Sequence, residues 1–232
     1  MKFGKLTLLS TVALLCVLPL PVRLAAQNSS SGIINFDIPS AGTTENSRQG
    51  TVPDSISEAG AVTGHYIDSY DVNHGFLRSP GGELITFDAP GAGRTARSGQ
   101  GTFPDGMSEA GAVTGHYVDS NNVTHGFVRS PGGELVTFDA PGAGKVERSK
   151  QGTFPKSISE AGAVTGHYVD SNNVNHGFLR SSAGELITFD ALGAGRGSSE
   201  QGTFPDSINK AGAITGHYID SKNVNHGFLR MP

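Results

Sequence analysis

Between residues 157 and 195 the chain alternates short runs of β-branched and aromatic residues with clusters of Gly, Pro and Asn, and apolar residues nowhere recur at helical spacing over ten positions. That pattern predicts strands and turns, an all-β protein. The runs are 157–159, 163–170, 175–180 and 185–190, four strands to a unit. Glu160-Ala161-Gly162 and Ser182-Ala183-Gly184 supply glycine where a tight turn needs positive φ, and Asp170-Ser171-Asn172-Asn173 supplies side chains that bond their own backbone.

The unit recurs. Thr-Gly-His-Tyr begins at Thr63, Thr114, Thr165 and Thr215, in steps of 51, 51 and 50 residues, and His-Gly-Phe follows at His74, His125, His176 and His226. All eight histidines of the chain fall at these two positions. A unit of this size cannot bury its own apolar face and must stack on its neighbours. Residues 27–232 are therefore read as a single repeat domain, with an N-terminal strand at 32–38 and repeats at approximately 49–99, 100–150, 151–200 and 201–232. Ile33-Ile34-Asn35-Phe36-Asp37 matches 84–88, whereas the chain stops after Phe228-Leu229-Arg230 without that strand. The first strand is thus expected to complete the last repeat, because pairing terminal strands removes exposed edges. The predicted fold is a four-bladed β-propeller closed by the N-terminal strand, with an open β-solenoid as the alternative.

Residues 1–26 lie outside the pattern. Lys2 and Lys5 precede an apolar run from Leu6 to Leu20, and Leu24-Ala25-Ala26 offers a cleavage site before Gln27, so a cleaved signal peptide and a secreted or periplasmic location are expected. Ser10, Thr11 and Pro19 interrupt the run before it reaches membrane-spanning length. Cys16, the one cysteine, lies inside it, so cleavage would leave no thiol for a disulfide, a metal or nucleophilic catalysis. The remaining 206 residues suffice for a substantial core. Removing Lys2, Lys5 and Arg23 from 17 basic residues leaves 14 against 21 acidic ones, a net charge near −7 that argues against nucleic acid and anionic lipid as partners.

Candidate chemistry follows the repeat. A hairpin loop centred on Ser69-Tyr70 would set His65 opposite His74, and likewise His116/His125, His167/His176 and His217/His226. Such pairs are weak metal candidates, since two imidazoles lack the further ligands zinc requires, and a structural role between repeats is preferred. No cofactor is expected. The loops at Asp68, Asp119, Asp170 and Asp220 group carboxylate, hydroxyl and amide, and Tyr66, Tyr117, Tyr168 and Tyr218 stand two residues before them. With His74, His125, His176 and His226 these are the candidate ligand-binding residues, a set suited to a sugar, whose hydroxyls need planar polar partners and an aromatic face. The alternative is an Asx-turn that satisfies only its own backbone. Calcium fits less well because Asp-x-Asn-x-Val breaks the alternation of oxygen ligands. Phe36-Asp37, Phe87-Asp88, Phe138-Asp139 and Phe189-Asp190 are read as structural, and Gln49, Gln100, Gln151 and Gln201 as polar groups that face water where the first strands line a channel.

Gly-His-Tyr-x-Asp, then His-Gly-Phe-Leu, then Phe-Asp-x-Pro-Gly-Ala resembles the bacterial extracellular repeats called the HAF family, over nearly all of residues 27–232. The resemblance implies an exported, propeller-like repeat protein and no defined activity. The chain departs from the pattern with glycine in place of the middle alanine, at Gly75, Gly126, Gly177 and Gly227.

Two motifs mislead. Gly91-Ala92-Gly93-Arg94 follows a strand as a dinucleotide fingerprint does, but no helix can follow it, and Ser207-Ile208-Asn209-Lys210 matches a serine-lysine spacing that the other repeats lose to Glu58, Glu109 and Glu160. Without a single asymmetric constellation of nucleophile and base, an enzyme is not expected. Three classes remain: a multivalent binding module for polysaccharide or cell-surface glycan, a structural surface or matrix protein, and, third, a hydrolase or lyase on the propeller axis. Four equivalent loops multiply weak contacts, which favours binding.

Overall fold

A computed structural model describes residues 32–147, 149, 151–197 and 201–232. The expected signal peptide, 1–26, lies outside the described residues. Fifteen strands form, and among the described residues there is no helix. The first unit holds β1 (Gly50–Ile56), β2 (Val62–Ile67), β3 (Asn73–Arg78) and β4 (Leu84–Phe87). The second holds β5 (Gly101–Met107), β6 (Val113–Val118), β7 (Thr124–Arg129) and β8 (Leu135–Phe138). The third holds β9 (Gly152–Ile158), β10 (Val164–Val169), β11 (Asn175–Arg180) and β12 (Leu186–Phe189), and the fourth only β13 (Gly202–Ile208), β14 (Ile214–Ile219) and β15 (Asn225–Arg230).

Each unit is an antiparallel meander, and the units join in one sheet through a single parallel bridge, as at Asn73 and Gly101. The outer edge of the third strand is shared: its second half carries β4, and its first residue, Asn73, receives β5. Asn73 donates to the Gln100 carbonyl from both its backbone N–H, at 3.1 Å, and its side-chain amide, at 3.0 Å.

The first strands run longer than the apolar pattern predicts, and each contains a proline, at Pro53, Pro104, Pro155 and Pro205. A β-bulge follows every one of these prolines, so the residue after it, Asp54, Asp105, Lys156 or Asp206, drops out of the ladder. A bulge bends its strand and re-aims a side chain.

The core lies between units. Phe76, Phe127 and Phe178 are fully buried. The aromatic that ends each fourth strand meets the phenylalanine of the following unit edge-on, Phe87 on Phe127 at 6.1 Å and Phe138 on Phe178 at 5.9 Å. The guanidinium of the following unit covers the same ring, Arg129 lying 5.2 Å from Phe87. Such pairs add about 0.5–1.5 kcal/mol beyond burial.

Among the described residues the N-terminal segment packs on the first unit. Phe36 packs on Phe76 at 6.0 Å under Arg78, and the Ile38 N–H donates to Thr51 Oγ1 at 2.9 Å. It thereby caps the first unit, in the place that β4 takes on the second, because the fourth-strand aromatic packs forward onto the unit that follows it in the chain. Among the described residues β1 and β15 stand at opposite ends of the strand order and the sheet is not closed.

Candidate functional site

The hairpin between the second and third strands sets the site. Asp71 N–H donates to the Asp68 carbonyl at 3.1 Å, and Asp71 then adopts φ of 61°. Asn122, Asn173 and Asn223 repeat that left-handed conformation. A type I turn followed by one αL residue makes a loop with an odd residue, so the ladder pairs Tyr66 with His74 and His65 with Gly75. The expected His65/His74 pairing is therefore off by one, as are its three counterparts. One residue of slip moves a side chain to the other face, and the two imidazoles lie on opposite faces of the sheet.

On one face each unit builds a cluster. Tyr66 stacks on His74 with ring centres 4.9 Å apart, and the same pair recurs at Tyr117/His125, Tyr168/His176 and Tyr218/His226. His74 Nδ1 faces Asp88 at 2.8 Å, His125 faces Asp139 at 2.7 Å and His176 faces Asp190 at 2.8 Å. Asp88, Asp139 and Asp190 are thus held by histidine side chains. A cation holds the second oxygen of each: Arg94 at 3.0 Å, Lys145 at 3.3 Å and Arg196 at 2.9 Å. These cations are 70–72% exposed, so the cluster ends in solvent. Hydrogen bonding to Asp88 raises the His74 pKa and bonding to Asp139 raises that of His125, in each case against the opposing effect of burial. In the first unit the cluster walls a polar cavity of ≈ 340 Å³ lined by Tyr66, His74, Thr86, Asp88 and Arg94.

The loop aspartates look inward. Asp68 Oδ1 accepts the Tyr70 and Val72 N–H groups at 2.8 and 3.0 Å, an Asx-turn, and its second oxygen lies 3.4 Å from His74 Nε2. Asp119, Asp170 and Asp220 accept the equivalent pairs. Tyr66, Tyr117 and Tyr168 are 6–7% exposed, so the aromatic face required by the sugar reading is covered by the histidine. Burial raises the pKa of all three phenols.

The other face carries an aromatic ladder. Phe103, Phe154 and Phe204 alternate with His116, His167 and His217, at 4.9–5.7 Å between successive ring centres. The bulge residue turns toward this ladder and meets the histidine: Asp54 with His65 at 3.0 Å, Asp105 with His116 at 2.7 Å and Asp206 with His217 at 3.1 Å. Lys156 takes that place in the third unit and reaches back to Asp105 at 3.2 Å. Burial and the nearby lysine together push the His167 pKa down to about 3. A cavity of ≈ 530 Å³ opens beside the ladder, lined by Phe103, Phe154, His116, Asn122 and Thr124.

The glutamines do not line a channel. Gln100 is buried, donates to the Ser120 carbonyl and to Asn122 Oδ1, both at 3.1 Å, and accepts the Thr95 N–H at 3.0 Å. Gln49 and Gln151 staple connector to loop in the same way, and Gln201 bridges Gly197 and Asn223. The glycines of the third strands have a steric cause: a Cβ on Gly75 would stand 2.8 Å from the Phe87 ring.

The structure therefore gathers Tyr, His and loop Asp of each unit at one place and adds the aspartates that follow the fourth strands, which the sequence reading took as structural, and cations that it passed over. It also adds the phenylalanine ladder. The signal for the aspartates was Phe-Asp at Phe87, Phe138 and Phe189, and that for the ladder was Thr-Phe-Pro at Phe103, Phe154 and Phe204. Among the described residues no group of three or more His, Cys, Asp or Glu side chains could hold a metal ion. No family model matches the chain, and no curated protein matches it.

Proposed function

We propose that this is an exported, non-catalytic repeat protein, of the kind the HAF-like motifs suggest, that binds a polysaccharide along an open row of units. The carrying observation is the recurrence of one His–Asp–cation cluster in three successive units, each ending in an exposed Arg or Lys. A polymer of repeating sugars meets a row of repeating polar clusters in register, and weak contacts then multiply through effective concentration. The Phe103–Phe154 cavity on the opposite face offers the aromatic surface that the tyrosines do not. An open solenoid-like row is preferred to a closed four-bladed propeller, because the N-terminal segment packs on the first unit.

A structural surface or matrix role is the second reading. It is favoured by the inward-facing Asx-turns and by phenols buried under imidazoles. Retention of the protein on a panel of insoluble polysaccharides, with and without a chelator, separates the two. Binding that falls at least about tenfold in the triple variant Arg94→Gln, Lys145→Gln, Arg196→Gln supports the row of clusters. No retention on any polymer would leave the structural role. Loss with chelator would bring an ion into the site.

A further inference from the structure

We infer that the exposed edge of β15 takes the N-terminal segment of a second copy of this chain, so that copies join head to tail through the interface that already joins the units. This goes beyond the polysaccharide reading and does not depend on it.

Among the described residues the fourth unit differs from the others in one definite way. Its β15 pairs only with β14 among the described residues, whereas β3, β7 and β11 each carry a fourth strand. A Cβ on Gly126 or Gly177 would stand within 3.0 Å of the Phe138 or Phe189 ring and of the next unit's proline, but one on Gly227 would meet nothing within 4 Å. Leu229 is 67% exposed, and a cavity of ≈ 530 Å³ lined by Tyr218, Phe228, Leu229 and Arg230 occupies the strand's place.

A matching piece stands before the first unit. The N-terminal segment already caps the first unit with the contacts that β4 makes on the second: Phe36 on Phe76 matches Phe87 on Phe127, and Ile38 on Thr51 matches Ala89 on Thr102, both at 2.9 Å. The segment and first unit of one copy therefore present what a fourth strand and following unit present within the chain. Moved by one repeat, the pairing of Gly177 with Phe189, Phe178 with Thr188 and Leu179 with Ile187 becomes Gly227 with Phe36, Phe228 with Asn35 and Leu229 with Ile34 of the second copy.

Two polar features fit the same join. His74, His125 and His176 each have an aspartate on Nδ1, but among the described residues the carboxylate that meets His226 is on Nε2, from Asp220 at 3.3 Å. Asp37 is the repeat equivalent of Asp88 and would supply the absent carboxylate. Along the row, the Glu58 N–H donates to the Glu109 carboxylate at 2.6 Å and the Glu109 N–H to Glu160 at 2.5 Å, but Lys210 stands at this position in the fourth unit. Its N–H would meet Glu58 of the second copy, and its ammonium gives that junction a cation where the first two internal ones hold only carboxylates. Such a contact is heterologous and grows into a ring or a filament.

Sedimentation velocity of the protein over a wide concentration range tests the join, with the His226 ring resonances followed by NMR at both ends of that range. Concentration-dependent assembly is expected, weakened at least about tenfold by Gly227→Ala, whose new methyl occupies the place of the incoming Phe36, while the thermal midpoint of the dilute protein stays unchanged. The His226 ring resonances should shift on assembly as Nδ1 gains a carboxylate, and Asp37→Asn should remove that change. A monomer at every concentration up to ~500 μM, or assembly indifferent to Gly227→Ala, would overturn the inference. His226 ring resonances that already respond to Asp37→Asn in the dilute monomer would overturn it too, since Asp37 would then close the ring within one chain.

Discussion

The strands β11 and β15 have the same six residues, Asn-His-Gly-Phe-Leu-Arg, and live in different surroundings. In β11 the phenylalanine is fully buried, and the glycine lies under the Phe189 ring. In β15 four of the six positions change to a more exposed class, and the glycine faces open space. The Arg180 Nη1 donates to the Ser181 carbonyl at 3.3 Å, whereas the Arg230 Nη1 is buried without a partner. Local sequence sets strand and turn, then, while burial is conferred by the next unit, as in any array whose stability is largely a sum of nearest-neighbour interfaces.

The largest expected contrast is in the core. Phe178→Ala should cost about 3–5 kcal/mol, and Phe228→Ala about 1–2 kcal/mol in the dilute monomer, read by denaturant unfolding. Equal costs would mean that β15 is covered after all. Next come the glycines: Gly177→Ala forces a methyl against the Phe189 ring and Pro205 and should cost about 1–3 kcal/mol, whereas Gly227→Ala should stay within about 0.5 kcal/mol.

A pH contrast separates the third unit from the others. The folded His167 titrates at about 3 and its unfolded form near 6.5, so stability is present above pH 6.5 and is lost as the pH falls from there toward 3. His74 and His125 act in the opposite sense: their raised pKa gives stability that is complete below 6.5 and lost as the pH rises through the folded values. Lys156→Asp restores the carboxylate found in the other units and should lessen the fall in melting temperature between pH 7 and pH 4. An unchanged or steeper fall would show that burial alone governs His167. The smallest effect belongs to the exposed carboxylate row, where Glu109→Ala should cost about 0.5 kcal/mol or less by the same unfolding assay.

Much of this was legible in the residues. Strand alternation marks three of the four strands of the third unit to within about a residue at each end, and the 51-residue step carries them to the first two. The register was not, because one αL residue, Asp71 or its asparagine equivalents, makes the loop odd and reverses which face each histidine occupies. The first strand read as too short because Pro155 breaks an ideal strand, and only a bulge lets the ladder continue past it. From that bulge come the contacts of Asp54 and Asp105 with their histidines, which no spacing rule anticipates. The Asp88–His74 contact was hidden for the same reason: it needs the register first. The open end of the fourth unit could not be read from β15 at all, since its residues repeat those of a buried strand.

Hydrogen exchange at residues 175–180 and 225–230, in dilute monomeric protein, compares two identical hexapeptides directly. Exchange should be markedly slower in β11 than in β15, because one is covered by β12 and the next unit and the other is an edge. Equal protection at every dilution would contradict the open row and put the N-terminal segment back on β15 of its own chain.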